Sequence, residues 1–280
     1  MKRKNFALYV MSLCLAVALC LPSITLAQGT TPGQNHPQCP MKKFVYKFFN
    51  ITEEQQAALE QVRQDTRTAI KPYFEQIKPL YEQLPETLLA ADIDTARAEE
   101  LFKSITDIEA QIIPIEANAK VQAVQILTAE QRADIQGVLT DVNNFIKYIL
   151  AYPGLDDLRN KYEKRVQKAM IDSKLAFLNL TEEQKTALIA LQDTTRAAIK
   201  PVAEQMGALH KDFAGVLLAA TVDTEAAASL ISQMIEPATQ MADIKFNAAL
   251  EAAQILTPEQ RQIIREKMEE HKNRFKRPTR

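Results

Sequence analysis

Glycine is scarce in this chain: there are six among 280 residues, with no Trp, three Cys and three His. A fold of many tight turns, or a loop wrapped around a phosphate, needs backbone at positive φ, which glycine adopts at no steric cost. Both are disfavoured here. Three His and three Cys also leave little material for a metal centre or a nucleophilic site. An excess of one charge is lacking too, since 34 Lys+Arg stand against 35 Asp+Glu, so there is no electrostatic footprint for nucleic acid. The patterns GxSxG, HExxH, CxxC and the P-loop are all absent, and the many carboxylates are spread along helix faces. No enzyme and no cofactor is expected. What the chain does have is 46% apolar residues, too many for a disordered polymer, in an Ala-, Gln-, Glu- and Leu-rich composition that favours helices.

The amino terminus carries a targeting pattern. Lys2, Arg3 and Lys4 precede an uncharged apolar run from about Phe6 to Leu21, then Pro22, Ser23 and the small-residue ending Thr25-Leu26-Ala27. This reads as a secretory signal peptide, residues 1–27, cut after Ala27. The run falls short of the roughly 20 residues that cross a bilayer as a helix, so stable membrane insertion is not expected after cleavage. Cleavage removes three of the 34 basic residues and none of the 35 acidic ones, leaving the mature chain acidic. Of the cysteines only Cys39 remains, which excludes an intrachain disulfide and makes the fold depend on packing. Residues 28–40 read as a flexible arm. His36, Cys39 and Met41 would form a soft-metal set, but spacing alone does not make a site, and no metal ligand is assigned.

Sliding the sequence against itself by 129 positions aligns Ile51–Thr140 with Leu180–Glu269 without a gap, and about 36 of the 90 positions are identical. The mature chain is two copies of one unit, 41–150 and 151–272, followed by a basic tail, 273–280. Each copy should begin with a short lead-in helix. Within each copy apolar residues step by threes and fours: Leu59, Val62, Ala69, Tyr73, Ile77, Leu80 and Leu84, then Leu188, Leu191, Ala198, Val202, Met206, Leu209 and Phe213. That period marks one buried stripe on a helix. A second stripe runs Ala98, Leu101, Ile105, Ile108, Ile112, Ile115, Ala119 and Ile126, opened by Asp94 as N-cap. Two long helices joined by a turn near Asp92 make an antiparallel hairpin, and the fold class is all-α. Pro72, Pro114, Pro201 and Pro237 fall inside the stripes, where a missing N–H and a ring clash bend a helix.

Four segments place an aliphatic residue before Thr-x-x-Gln: Ile51 to Gln55, Leu127 to Gln131, Leu180 to Gln184 and Leu256 to Gln260. This is a capping box, in which Thr52, Thr128, Thr181 and Thr257 accept from the N3 amide while Gln55, Gln131, Gln184 and Gln260 return to the cap amide. The partner position for a hydrophobic staple is polar in all four, Gln56, Arg132, Lys185 and Arg261, so the aliphatic residue must pack elsewhere.

Four such boxes at paired spacing in a Gly-poor helical chain resemble the LTxxQ superfamily of Spy and CpxP, with Phe177-Leu178-Asn179 in the lead-in adding to the match. The resemblance spans about Met41 to Lys272. It implies periplasmic proteins of Gram-negative bacteria whose protomers pair antiparallel into a curved cradle. Spy-like members hold unfolded or partly folded envelope clients without ATP, CpxP-like members damp a sensor kinase through its ectodomain, and distant relatives bind zinc or nickel. Two copies in one chain then suggest a single-chain curved pseudo-dimer, with two separate bundles on a string as the alternative.

For client binding, the candidates are Arg67 and Lys71, one turn apart beside the apolar stripe, their repeats Arg196 and Lys200, and Arg63 and Lys78 in the first copy alone. Moderate apolar area with surrounding charge speeds capture without locking the client. A solvated face with pairs such as Lys71 to Glu75 is the plainer reading. His210 and His271 read as surface residues, and Lys272, Arg274, Lys276, Arg277 and Arg280 as a solvated helix end.

Overall fold

The computed structural model describes residues 45–150 and 175–275. The signal segment, the arm with His36, Cys39 and Met41, and the cations Lys276, Arg277 and Arg280 lie outside them. The described residues are helical, with no strand among them. Helices α1 (Glu53–Leu88), α2 (Thr95–Ile126) and α3 (Ala129–Leu150) form the first copy. The second has a 3-10 turn (Ala176–Leu178), then α4 (Glu182–Leu217), α5 (Thr224–Ile255) and α6 (Pro258–Phe275). No helix among the described residues is long and apolar enough to cross a membrane.

The ends of these helices follow from local chemistry. Asp94 Oδ1 accepts from the Arg97 amide at 2.9 Å, and Asp223 repeats the contact with Ala226 at 2.9 Å, so each second arm starts on an aspartate cap. The lead-in of the first copy, residues 45–48, stops at Asn50, whose φ of 50° lets the Ile51 amide reach back to the Tyr46 carbonyl at 2.8 Å. This is a Schellman closure with Asn in the place glycine usually takes, a substitution that suits a glycine-poor chain. Asn179, also left-handed with φ 48°, ends the 3-10 turn of the second copy, its amide donating to the Ala176 carbonyl at 3.3 Å.

The second stripe is buried in its first half, with Ala98, Leu101, Ile105 and Ile112 in the core, while further on Ile115, Ala119 and Ile126 are half-buried and Ala117, Val121 and Val124 take the buried places. The first needs one correction: Ala69 and Ala198 are exposed, and Ile70 is fully buried instead. Positions 66, 70, 73 and 77 continue the three-four stepping, so the inward residue is the larger neighbour, which removes more apolar surface from water. Pro72, Pro79 and Pro85 lie inside α1, Pro114 inside α2, Pro201 inside α4 and Pro237 inside α5, and each helix runs through them.

Two compact units divide the chain, and each draws on both copies. Of the described residues, the first contains 45–70, 114–150 and 210–232; the second contains 71–113, 175–209 and 233–275. In the first, Leu218 of the second copy is buried with Phe49, Leu127 and Ile135 of the first, and Ile51 packs against that cluster. In the second, Phe246 and Ala253 are buried with Leu88 and Ala98, and the Phe246 ring stacks on Phe102 at 4.2 Å and 9°. Leu178, Leu180 and Leu256 form a further cluster there. The copies therefore pack on each other within one chain, as the pseudo-dimer reading expects and bundles on a string do not. The aliphatic residues of the capping boxes, Ile51, Leu127, Leu180 and Leu256, sit in or against these clusters rather than in staples.

Candidate functional site

All four capping boxes close. The Thr52 amide donates to Gln55 Oε1 at 3.0 Å and the Gln55 amide to Thr52 Oγ1 at 3.2 Å; Thr128 with Gln131, Thr181 with Gln184, and Thr257 with Gln260 repeat the pair. The carboxyls of Glu54, Glu183 and Glu259 are held below the usual range, first by their own backbone amides and then by the Thr52, Thr181 and Thr257 hydroxyls.

The structure also brings the glutamines together in twos. Gln55 Nε2 donates to Gln131 Oε1 at 2.8 Å and to the Ile126 carbonyl at 2.9 Å, while Gln131 Nε2 donates to Gln55 Oε1 at 3.0 Å and to the Asn50 carbonyl at 2.9 Å. Gln184 and Gln260 form the same reciprocal pair, bonding the Ile255 and Leu178 carbonyls. With the cap amides counted, each side-chain amide makes two donations and two acceptances, its full capacity. An ordinary capping box accepts Glu in place of Gln. Here Glu would lose two donors and put carboxylate oxygens against an amide oxygen, so the pairing explains the choice of Gln.

Arg132 and Arg261, which the sequence reading noted only as breaking the staple, are buried at 7% and 6% exposure. Arg132 Nη1 donates to the Leu127 and Val124 carbonyls at 2.6 and 3.3 Å, its Nε to the Ala219 carbonyl at 2.9 Å and its Nη2 to the Ala220 carbonyl at 2.5 Å. Arg261 does the same with Leu256, Ala253, Ala90 and Ala91, at 2.6, 2.9, 2.9 and 2.5 Å. Each guanidinium thus links the base of its own copy to the hairpin turn of the other. The charge of Arg261 is felt by the Glu259 carboxylate, while the direct hydrogen-bond partners of both guanidiniums are carbonyls. The carbonyls at helix C-termini carry the negative end of the dipole and stand in for a counter-charge. A sequence signal did exist, for both positions follow the second Gln of their copy as Gln-Arg, while the first boxes of each copy have Gln56 and Lys185.

The candidate client-binding cations are all exposed. Arg63 and Arg67 belong to the first compact unit, and Lys71, Lys78, Arg196 and Lys200 to the second. Arg63 lies 3.6 Å from Glu60, Lys71 3.8 Å from Glu75 and Arg196 3.9 Å from Asp193, loose surface pairs that contribute little to stability. Tyr73, Phe74 and Val202 beside them are half-buried. His210 and His271 are exposed. Partial burial, helped by Lys120, pushes the His210 imidazole below its usual value, and burial pushes the Glu116 carboxyl up against the opposing pull of Lys120. Tyr81 donates its hydroxyl to Glu109, and its own titration is raised, mostly by burial. Among the described residues no group of three or more His, Cys, Asp or Glu is placed to hold a metal ion.

Fold and side-chain network together define a class: duplicated helical hairpins whose bases are locked by paired Thr-x-x-Gln caps. Residues 166–268 match the family described as LTXXQ motif family protein, and residues 12–134 match the family described as Heavy-metal resistance. Through these two matches in tandem, the chain belongs to the Spy/CpxP-like families. No curated protein and no solved structure matches the chain.

Proposed function

We propose that this chain is an ATP-independent chaperone of the periplasm, without enzymatic activity, that holds unfolded or partly folded envelope proteins on the first arms of its two hairpins. The observation that carries the reading is the repeated exposure of Arg67 and Lys71 on α1 and of Arg196 and Lys200 on α4, helices that also carry half-buried Tyr73, Phe74 and Val202 within a few residues of these lysines. Such a surface attracts a client at long range and offers it modest apolar area, a combination that permits release without an energy source. Family membership and the amino-terminal signal pattern support the same reading and its compartment. The test is aggregation of reduced α-lactalbumin with the mature chain and no nucleotide. Suppression at near-stoichiometric ratio, weakened several-fold when Arg67, Lys71, Arg196 and Lys200 are changed to Ser together, is the expected result. No suppression at tenfold excess rejects it.

The family description Heavy-metal resistance over 12–134 favours a second reading, a metal-responsive binding protein. Its ligands would come from His36, Cys39 and Met41, outside the described residues. Calorimetric titration with zinc, nickel and copper(I) tests it, and affinity unchanged by Cys39→Ala dismisses that ligand set.

A further inference from the structure

Besides the aligned Pro72 and Pro201, both first arms contain further residues that weaken a helix, at nearly the same two places and by different chemistry. In α1 these are Pro79 and Pro85; in α4 they are Gly207 and Gly215. Under the 129-residue offset, Gly207 aligns with Lys78, next to Pro79, and Gly215 aligns with Glu86, next to Pro85. Each proline removes an amide from the ladder and crowds the preceding turn. Neither glycine answers a steric demand: both are helical, neither has a positive φ, and a Cβ added at either would meet nothing within 4 Å. Glycine at such a site loosens the helix by about four- to fivefold in the local opening equilibrium relative to Ala.

The weakened stretches carry core residues. Between and beside the breakers lie Leu80, Leu84 and Leu88 in the first copy, and Leu209, Phe213 and Leu217 in the second. Leu88, Phe213 and Leu217 are buried. Just beyond each stretch the chain is pinned, since Arg261 holds the Ala90 and Ala91 carbonyls and Arg132 holds those of Ala219 and Ala220. A weak segment pinned beyond its far end bows open in the middle instead of fraying from the tip.

We infer that residues 78–88 of α1 and 207–217 of α4 are opening segments that turn their apolar side chains outward to an unfolded, apolar-rich polypeptide, while the buried arginines keep the turns in place. The client half of this inference rests on the chaperone reading; the opening half does not. Native-state hydrogen exchange on the full mature chain separates them. Amides of 80–88 should exchange at least tenfold faster than those of 57–68 in the first half of α1, and amides of 208–217 at least tenfold faster than those of 186–197 in the first half of α4. Gly207→Ala with Gly215→Ala should slow exchange in 208–217 by roughly twentyfold. The same double variant should bind reduced α-lactalbumin several-fold more weakly. Equal protection along the arm, or exchange unmoved by the alanines, overturns the opening. Slowed exchange with undiminished client binding overturns the role given to it. If the unaltered chain binds no client, the chaperone reading fails and the exchange contrast alone upholds or rejects the opening segments.

Discussion

Replacing Arg132 by Ala is the most discriminating perturbation of this fold. The substitution removes four donations from one buried guanidinium, two to its own copy and two to the turn of the other. Not all of that is lost free energy. Ala220 is exposed and its carbonyl can return to water, whereas the Leu127 carbonyl, bonded at 2.6 Å, is buried. A buried carbonyl left unpaired costs about 1–3 kcal/mol. Loss of the packed arginine stem adds about 1–2 kcal/mol. The expected destabilisation is therefore about 3 kcal/mol. By contrast, Arg63→Ala, which removes an exposed pair, should cost no more than about 1 kcal/mol. Arg132→Lys keeps the charge and loses the planar fork, so it should fall about 2 kcal/mol below the parent. Equilibrium urea unfolding of the full chain followed by circular dichroism reads all three. A loss under about 1 kcal/mol for Arg132→Ala, or a lysine variant as stable as the parent, would refute the claim that fork geometry joins the copies.

Gln131→Glu removes the donors to Asn50 and Gln55 and should cost about 2–3 kcal/mol at pH 7. Because the new carboxyl would face two oxygens, its folded pKa should be raised, so the deficit should shrink as pH falls and the proton returns; a deficit equal at pH 7 and pH 4 in urea titrations contradicts this. Phe246→Ala should cost about 3–4 kcal/mol, and a double-mutant cycle with Phe102→Ala should show coupling of about 1 kcal/mol, absent if the stacked rings act independently. His210 titrates lower folded than unfolded, so the native state binds fewer protons. The stability it contributes is full above its unfolded pKa of about 6.5 and declines as pH falls toward the folded value. His210→Gln should flatten the stability profile below pH 6.5, and an unchanged profile rules His210 out as the cause.

Period and capping chemistry carried much of the architecture into plain view. Thr52, Thr128, Thr181, Thr257 and Asp94 are legible because a cap acts on amides two or three residues away. The buried stripe of α2 is legible for a similar reason, as helix geometry ties residues three and four apart. Choosing Ile70 over Ala69 takes more than period, since both lie near the same edge of the face and packing decides. The arginine clamps were hidden for a different reason. Arg132 and Arg261 bond carbonyls 87 and 171 residues away, and a carbonyl has no side-chain identity to search for. The reciprocal Gln pairs were half visible: their inward role needed the neighbouring box to be in place 76 residues off. The six candidate cations were legible as exposed because their positions fall off the buried period of α1 and α4.

The mixing of copies within each compact unit has a consequence for synthesis. A nascent chain that stops after α3 already holds every residue of the first hairpin, yet Leu88 and Ala98 still lack Phe246 and Ala253, and the Ala90 carbonyl still waits for Arg261. Residues delivered early can close their interior only when the last quarter of the polypeptide arrives, so maturation waits on delivery of the whole chain, and any stall before that point leaves a half-built body with its oily side uncovered.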